Sequence, residues 1–427
     1  MAVFELVTRM RGAMVSDKRG IWGLFVPLYM SQFLAIGFLF TALTAISRDR
    51  GNDLEDVGVI YVLGMVWAVK FLWAPLVDKF GSSKRGHYRS WLLWTQPLSV
   101  VAILAIIPLD VVNDLWVILA ALAVVAILSA TQDVATDALA VRTISGAGRG
   151  GINGLQVGAG FVGDIIGGGL VLVVYDWWGW TPAIVTLAVC TALPVIGVLR
   201  YREPGLVQVG PNAVARPSMR SLFRQRGAAR WAFVLTPLMA LGMPGAYGLM
   251  IPIMMDAGVS VGAVGMLSNG VGGVIGCVAA IAAGLAIPKL GRKRALVLYG
   301  LGQVVAIAAI LPVVWIGGMF WVLVAIVLLN IFNTASYAAM YTVNMDYARP
   351  GSAGSDFTVQ TSISYALRFG SAGIILGLAS SFGYTWALVL CMVLAALGVI
   401  ATAALFIEKD DSAAGQEPAA VPVPQPA

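Results

Sequence analysis

Charged residues are scarce in this chain of 427 residues. Only 11% of the residues are Asp, Glu, Lys or Arg, whereas 59% are hydrophobic, and the mean hydropathy is +0.88. A soluble domain has about 25% charged residues, because its surface needs a polar shell in water. The composition therefore excludes a soluble enzyme, a disordered protein and a coiled coil. It predicts an all-α membrane protein that crosses the bilayer many times.

Residue types that build metal and nucleotide sites are equally scarce. His87 is the single histidine and falls in a basic loop that we expect to be exposed, which argues against a histidine proton relay or metal site. Cys190, Cys277 and Cys391 lie in separate apolar runs, without metal-ligand or disulfide spacing. The phosphate-binding pattern G-x-x-x-x-G-K-[ST] does not occur. We predict no metal, no cofactor and no enzymatic activity.

Long apolar runs recur from one end of the chain to the other. A bilayer core about 30 Å thick needs roughly 20 apolar residues per helix. The runs do not alternate polar and apolar residues, as the strands of a membrane barrel do. They predict twelve helical spans, at 21–47, 56–77, 91–109, 115–141, 151–175, 180–200, 231–255, 261–288, 295–316, 318–345, 355–382 and 384–407.

Polar segments divide the twelve spans into two sets of six. We predict a cytoplasmic N-terminal segment at 1–20, a six-helix half at 21–200, a cytoplasmic central loop at 201–230, a second six-helix half at 231–407 and a disordered cytoplasmic tail at 408–427.

The basic residues indicate how the chain crosses the membrane. With both termini in the cytoplasm, 23 of the 27 Lys and Arg residues fall on the cytoplasmic side, and only Arg48 and Arg50 fall outside. This distribution is the positive-inside pattern of inner-membrane proteins. Since topology accounts for the net charge of +6, we expect lipid contact and no nucleic-acid partner. We expect the protein to be a monomer.

A short loop motif occurs after the second and the eighth predicted span. Its residues are Asp78, Lys79 and Gly81 in the first copy, and Gly284, Lys289, Gly291 and Arg292 in the second. Both copies resemble the pattern G-x-x-x-D-[RK]-x-G-[RK]-[RK] of the major facilitator superfamily, with Ala74 in the place of the first glycine and Pro288 in the place of the aspartate. We expect a tight turn, with Gly at unusual backbone angles and Asp78 near basic groups and helix ends at a gate.

Longer strings in the first half are more specific. Residues 70–79 read KFLWAPLVDK, and residues 131–137 read TQDVATD. They resemble the superfamily branch that holds the AmpG-type muropeptide permeases, the RhtX/FptX-type siderophore importers and the acetyl-coenzyme A transporters. The resemblance implies two pseudo-symmetric six-helix halves around a substrate site near the midplane. An offset of 204 residues between the halves aligns Gln156 with Gln360 and Asp164 with Arg368.

The resemblance also implies a secondary active transporter. We expect proton-coupled import of a bulky polar solute, with a ferric siderophore as the first choice and a muropeptide as the second. A proton-driven exporter of the same fold and a membrane sensor that transports nothing are the alternatives.

Five ionisable residues stand out inside the predicted spans: Lys70, Asp133, Asp137, Asp164 and Arg368. A charge near the bilayer centre costs about 2.5–3.5 kcal/mol on insertion scales, so such residues face a cavity or a partner. We expect Lys70 to pair with Asp133, either as a titratable pair or as a structural one. Asp137 lies one turn further along the same helix face and belongs either to this site or to the headgroup region.

Asp164 is the predicted proton carrier, because burial in apolar surroundings favours an uncharged acid. The alternative is a salt bridge between Asp164 and Arg368. Arg368 could instead bind an anionic group of the solute, since a guanidinium pairs well with carboxylate or phosphate.

Overall fold

A computed structural model describes residues 22–51, 60, 63–82, 84–144, 146–203 and 219–408. The predicted N-terminal segment, half of the predicted central loop and all but the first residue of the predicted tail lie outside these residues. The described chain is helical, and its one β contact is an isolated bridge between Ser82 and Gly86.

Long helices run through the whole described chain. They are α1 (Trp22–Ser47), α2 (in the pieces Met65–Val69, Lys70–Leu72 and Ala74–Lys79), α3 (His87–Leu104), α4 (Leu115–Thr143), α5 (Gly146–Trp178), α6 (Trp180–Arg200), α7 (Ala228–Asp256), α8 (Ala263–Leu290), α9 (Arg292–Trp315), α10 (Met319–Tyr347), α11 (Pro350–Phe382) and α12 (Tyr384–Leu405). In the described residues, ten of these helices are long and apolar enough to cross a membrane. The other two, α2 and α3, correspond to the spans predicted at 56–77 and 91–109.

The predicted boundaries of the second and third spans need correction. The helical pieces of α2 continue to Lys79, and the helix is interrupted at Trp73, before a proline that cannot donate a backbone hydrogen bond. Helix α3 begins four residues earlier than predicted, at His87 after the turn at Gly86, and it ends at Leu104 rather than 109.

The two halves repeat each other at the predicted offset of 204 residues. Helices α4 and α10 are both 29 residues long, and their first residues, Leu115 and Met319, are 204 positions apart. Helices α6 and α12 begin 204 positions apart, each after a glycine with φ near +80°, Gly179 and Gly383. A left-handed backbone at both turns favours glycine, which has no Cβ to clash.

Large apolar side chains cover the outside of the helices as well as the core. Trp116, Ile316 and Phe320 are each more than 60% exposed. Helices that are apolar on all sides belong in a membrane, where the backbone hydrogen bonds are satisfied within each helix. The exposed apolar surface is therefore the surface that contacts lipid.

Helices α5 and α8 bring the two halves together at one end of the bundle. A Cβ atom on Gly154 would lie 2.5 Å from the backbone oxygen of Ala280, and one on Gly150 would lie 2.5 Å from that of Gly284. Only glycine permits this approach, as in other tightly packed membrane helices. We call the end that contains Asp78, Gly150, Gly284 and Asp346 the closed end.

The contact between the halves does not continue to the other end. A Cβ atom on Gly273 of α8 would meet Ile165 of α5 at 3.5 Å, in ordinary contact. Further along, a Cβ atom on Gly169 of α5 or on Gly265 of α8 would meet no other atom within 4 Å. The halves therefore separate toward this end, which we call the open end.

We predict that Gly154→Ala loosens the closed end, because the added methyl group collides with the backbone of α8. The yield of cross-linking between cysteines placed at Gly151 and Leu285, which face each other across the two helices, should fall. Gly169→Ala is the matched control, since its methyl group meets open space and alanine favours a helix by about 0.5–1 kcal/mol. Equal yields in the two variants would contradict the prediction.

Candidate functional site

A cavity lies between the two halves, next to the α5–α8 contact. Its volume is about 110 Å³. Its lining comes from α1, α5, α10 and α11 and consists of Phe33, Gln156, Val157, Gly160, Phe161, Asp164, Asn333, Thr334, Tyr337, Tyr341, Tyr365 and Arg368. Aromatic rings and a few polar groups on one concave surface are typical of a site for a small polar molecule.

Asp164 and Arg368 both line this cavity, one from each half. The guanidinium carbon of Arg368 lies 5.2 Å from the centroid of the Tyr337 ring, at cation–π distance. The Oδ1 atom of Asp164 is buried and has no hydrogen-bond partner. Among the described residues, Asp164 forms no ion pair, so the structure does not contain the salt bridge considered as an alternative.

The position of Asp164 follows from close packing between α1 and α5. A Cβ atom on Gly37 of α1 would lie 2.7 Å from the backbone oxygen of Asp164. A π-helical segment, Ile165–Leu170, follows Asp164 directly. Such segments widen a helix locally and are frequent at functional sites. These features place the carboxyl group at the cavity wall.

Lys70 and Asp133 form a buried ion pair between α2 and α4. Lys70 is only 1% exposed, and its position in the short 3₁₀ turn Lys70–Leu72 places it inside the protein. Next to the pair, the Trp73 indole nitrogen donates a hydrogen bond of 3.1 Å to Thr131 Oγ1. Removing either partner of such a pair would leave an uncompensated charge.

Asp137 belongs to the same buried group rather than to the headgroup region. Its side chain is 1% exposed, and Gln156 Nε2 donates a hydrogen bond of 2.9 Å to its Oδ1 atom. The headgroup alternative is therefore wrong. We call Lys70, Asp133 and Asp137 the buried cluster.

Three side chains, those of Gln156, Tyr341 and Tyr365, both face the buried cluster and line the cavity. Gln156 binds Asp137 and also lines the cavity. Tyr365 lines the cavity as well, and the Lys70 amino group lies 5.9 Å from the centroid of its ring. The predicted charged residues thus form two neighbouring sites, the cavity pair Asp164 and Arg368 and the buried cluster.

Asp78 of the first loop motif joins the two halves at the closed end. Its carboxylate accepts hydrogen bonds from the backbone nitrogens of Gly354 and Ser355, at 3.0 and 2.7 Å, and from the Ser355 hydroxyl at 2.6 Å. The Tyr88 hydroxyl donates a further bond of 2.8 Å. Asp78 therefore caps the N-terminus of α11, where the helix dipole favours a negative charge.

The other residues of the first motif have local roles. The Lys79 amino group lies 5.2 Å from the Phe80 ring centroid. Gly81 does not have a positive φ, and its lack of a Cβ instead makes room for the His87 ring. His87 is buried, contrary to the expected exposed loop, and a ring nitrogen lies 3.0 Å from the Val77 carbonyl oxygen.

The second copy of the motif also differs from a simple turn. Gly284 lies within α8 and serves the contact with Gly150, whereas Gly291, with φ +80°, forms the turn before α9. Lys289 is exposed in the last turn of α8. Arg292 donates from Nη2 to the backbone oxygen of Gly146 at 2.7 Å, across the two halves.

Sequence reasoning missed two carboxylates at the closed end. Asp346 pairs with Arg149 of the first half at 2.9 Å and with Arg292 of the second half at 3.0 Å. Asp356 is fully buried and pairs with Arg349. Both acids lie at or near the end of a predicted span, where charged residues are common and do not by themselves indicate a functional site. The sequence feature that could have identified them is an acidic residue at an end of the helices where most charged residues are basic.

Comparisons with known proteins agree with this arrangement. The family model described as Major Facilitator Superfamily matches residues 25–372. The chain is 30% identical over 255 residues to the anhydromuropeptide permease of Escherichia coli (strain K12), covering 59% of this chain and 52% of that protein. It is 25% identical over 292 residues to the putative transporter AmpG 4 of Rickettsia felis, covering 62% and 67%. The match spans about half the length of the Escherichia coli permease.

Solved structures show the same fold. The human organic anion transporter MFSD10 superposes with a TM-score of 0.71 at 14% identity, covering 90% of this chain and 99% of that one. The Escherichia coli fucose:proton symporter FucP gives a TM-score of 0.67 at 13% identity, covering 89% and 98%.

We predict that reversing one charge of the Lys70–Asp133 pair destabilises the protein and that reversing both restores most of the loss. A broken buried pair costs about 3–5 kcal/mol, so the thermal midpoint in detergent should fall clearly in Lys70→Asp and in Asp133→Lys. It should recover in the double variant.

The exposed Arg50–Asp110 pair, at 3.6 Å, is the matched control. The same exchange there should change stability by about 1 kcal/mol or less. A Lys70/Asp133 double variant no more stable than its single variants would contradict the prediction.

Proposed function

Because the chain belongs to the major facilitator superfamily, we propose that it is a proton-coupled importer of a peptidoglycan fragment, an anhydromuropeptide. The match covers residues 25–372, and the relatives and the fold are those of transporters, not enzymes. The chain is thus an integral membrane transporter for a small-molecule solute. The solute, the coupling ion, the direction of transport and a monomeric state are parts of the proposal.

The observation that carries the proposal is a cavity that lies between the halves and is sealed at one end only. At the closed end, α5 packs on α8, Asp78 caps α11, and Asp346 pairs with Arg149 across the halves. No comparable contact between α5 and α8 appears beyond Ile165 in the described residues. In this fold, a bound solute crosses the membrane when the sealed end opens and the opposite end closes, so that no continuous pore forms.

The distribution of basic residues supports import, because it indicates which end of the protein faces the cytoplasm. Arg149, Arg292 and Arg349 lie at the closed end, whereas Arg50 lies at the other, next to Asp110. Under the positive-inside rule the closed end faces the cytoplasm, with both chain termini on that side. The cavity then faces outward and is ready to accept a solute from outside the cytoplasmic membrane.

The choice of solute rests on the relatives and on the chemistry of the cavity. The sequence alone favours a ferric siderophore, but the 30% identity to an anhydromuropeptide permease reverses that order. A muropeptide carries carboxylates and sugar rings. Arg368 can bind a carboxylate in two-pronged geometry, and rings such as Phe161 and Tyr337 offer flat apolar faces to a sugar.

Asp164 is the proton-binding group of this proposal. Its carboxyl group lines the cavity, has a buried oxygen without a hydrogen-bond partner and forms no ion pair in the described chain. The proton satisfies the buried oxygen and removes the cost of a charge away from water. Release of this proton into the cytoplasm would then drive import.

We predict that Asp164→Asn abolishes uptake driven by a pH gradient in proteoliposomes, because the amide cannot bind or release a proton. Exchange of solute for solute, which needs no net proton movement, should persist. Asp176→Asn is the matched control, since Asp176 is exposed at the end of the same helix. Unchanged pH-driven uptake in Asp164→Asn would refute its role.

We predict that the protein takes up a labelled anhydromuropeptide and not a labelled ferric siderophore. Arg368→Gln should raise the KM for the muropeptide about 10- to 100-fold, because a hydrogen bond to a charged group is worth about 1.5–3 kcal/mol. Arg50→Gln serves as the control on an exposed arginine. Uptake of the siderophore alone would instead support the solute first expected from the sequence.

A further inference from the structure

The buried cluster contains one basic and two acidic groups. Lys70, Asp133 and Asp137 are at most 6% exposed. If both carboxyl groups were ionised, the cluster would carry a net negative charge inside the protein. An unbalanced buried charge is expensive, and two carboxylates that share one site do not both ionise readily.

Among the described residues, the side chains that face the cluster from neighbouring helices do not supply a second positive charge. They are Tyr29 from α1, Gln156 from α5, Tyr341 from α10 and Tyr365 from α11. Arg368 lies beyond the two tyrosines of α10 and α11, with its guanidinium on the Tyr337 ring. A proton on one carboxyl group would balance the charge of the cluster.

The hydrogen bonds decide which carboxyl group holds that proton. Asp133 pairs directly with Lys70, which favours its ionised form. Asp137 Oδ1 accepts a hydrogen bond from Gln156, while its Oδ2 is buried without a hydrogen-bond partner. The Tyr29 hydroxyl lies against the Asp137 carboxyl group and interacts with it. Neither the Tyr29 oxygen nor Asp137 Oδ2 has another hydrogen-bond partner, so a proton on Oδ2 would lie between these two oxygens.

We propose that Asp137 is a second proton-binding site, protonated while the closed end is sealed, and that Gln156 is the positioning residue that connects it to the solute cavity. The proton leaves Asp137 for water as H⁺, and the carboxyl group becomes a carboxylate. The link to transport rests on the proposed function, whereas the protonation itself does not.

Gln156 has the geometry that this role requires. Its Nε2 atom binds Asp137, its side chain lines the cavity, and its Oε1 atom is buried without a partner. A solute in the cavity would therefore contact the residue that orients Asp137. The pseudo-symmetric Gln360 differs, because its Nε2 donates to the backbone oxygens of Asn344 and Asp356, at 3.0 and 2.8 Å.

Infrared difference spectroscopy on the purified full chain at neutral pH tests the proposal without any solute. A protonated carboxyl group has a carbonyl stretching band that a carboxylate lacks. We expect Asp137→Asn to lose one such band. Asp133→Asn should lose the same band, because Lys70 then balances an ionised Asp137 and the proton is no longer needed. Asp176→Asn, at the exposed end of α5, should retain it.

Further variants separate this proposal from a structural role and from the proposed function. Asp137→Glu should shift the band rather than remove it, and Gln156→Leu should shift its frequency by removing the hydrogen bond to Oδ1. Asp164→Asn should retain the Asp137 band even though it loses pH-driven uptake. A spectrum unchanged by Asp137→Asn, or a band that survives in Asp133→Asn, would overturn the proposal whether or not the protein transports a muropeptide.

Discussion

A charge inside a membrane protein must be paired, solvated or neutralised by a proton, and this constraint organises the molecule. Lys70 and Asp133 meet it by pairing with each other. Arg368 and Asp164 meet it by facing the same cavity, where a solute and a proton can reach them. Asp137 is left with an amide on one oxygen and a buried second oxygen. The five residues thus form two neighbouring groups, the cavity pair and the buried cluster, and Gln156 lies between them.

Mechanical closure depends on a different kind of contact. Glycines bring the α5 and α8 backbones together at the closed end, and the polar contacts of Asp78 and Asp346 span the same interface. Smooth glycine surfaces allow two halves to rock, while partly exposed polar contacts can exchange with water when the interface opens. We propose that packing provides the path of the motion and that the polar contacts hold the closed end sealed.

The sequence predicted the fold and the buried charges better than it predicted their contacts. Helix lengths, the 204-residue offset and the superfamily can be predicted from apolar runs, the internal repeat and short motifs, which are visible in the sequence itself. The Asp346 ion pairs do not, because Arg149, Arg292 and Asp346 lie far apart in the chain and meet only in the folded structure. Burial of His87 was missed, and that of Asp137 was one of two alternatives, since position near the end of a span does not reveal what covers a side chain.

Measurement of the zero-flux point of the wild-type protein tests the central claim, that buried carboxyl groups couple solute movement to protons. Proteoliposomes with known solute gradients and opposing pH gradients locate the condition at which net solute flux vanishes. The account predicts that a larger pH gradient balances a larger solute gradient. A zero-flux point that stays at equal solute concentrations for every pH gradient would contradict it.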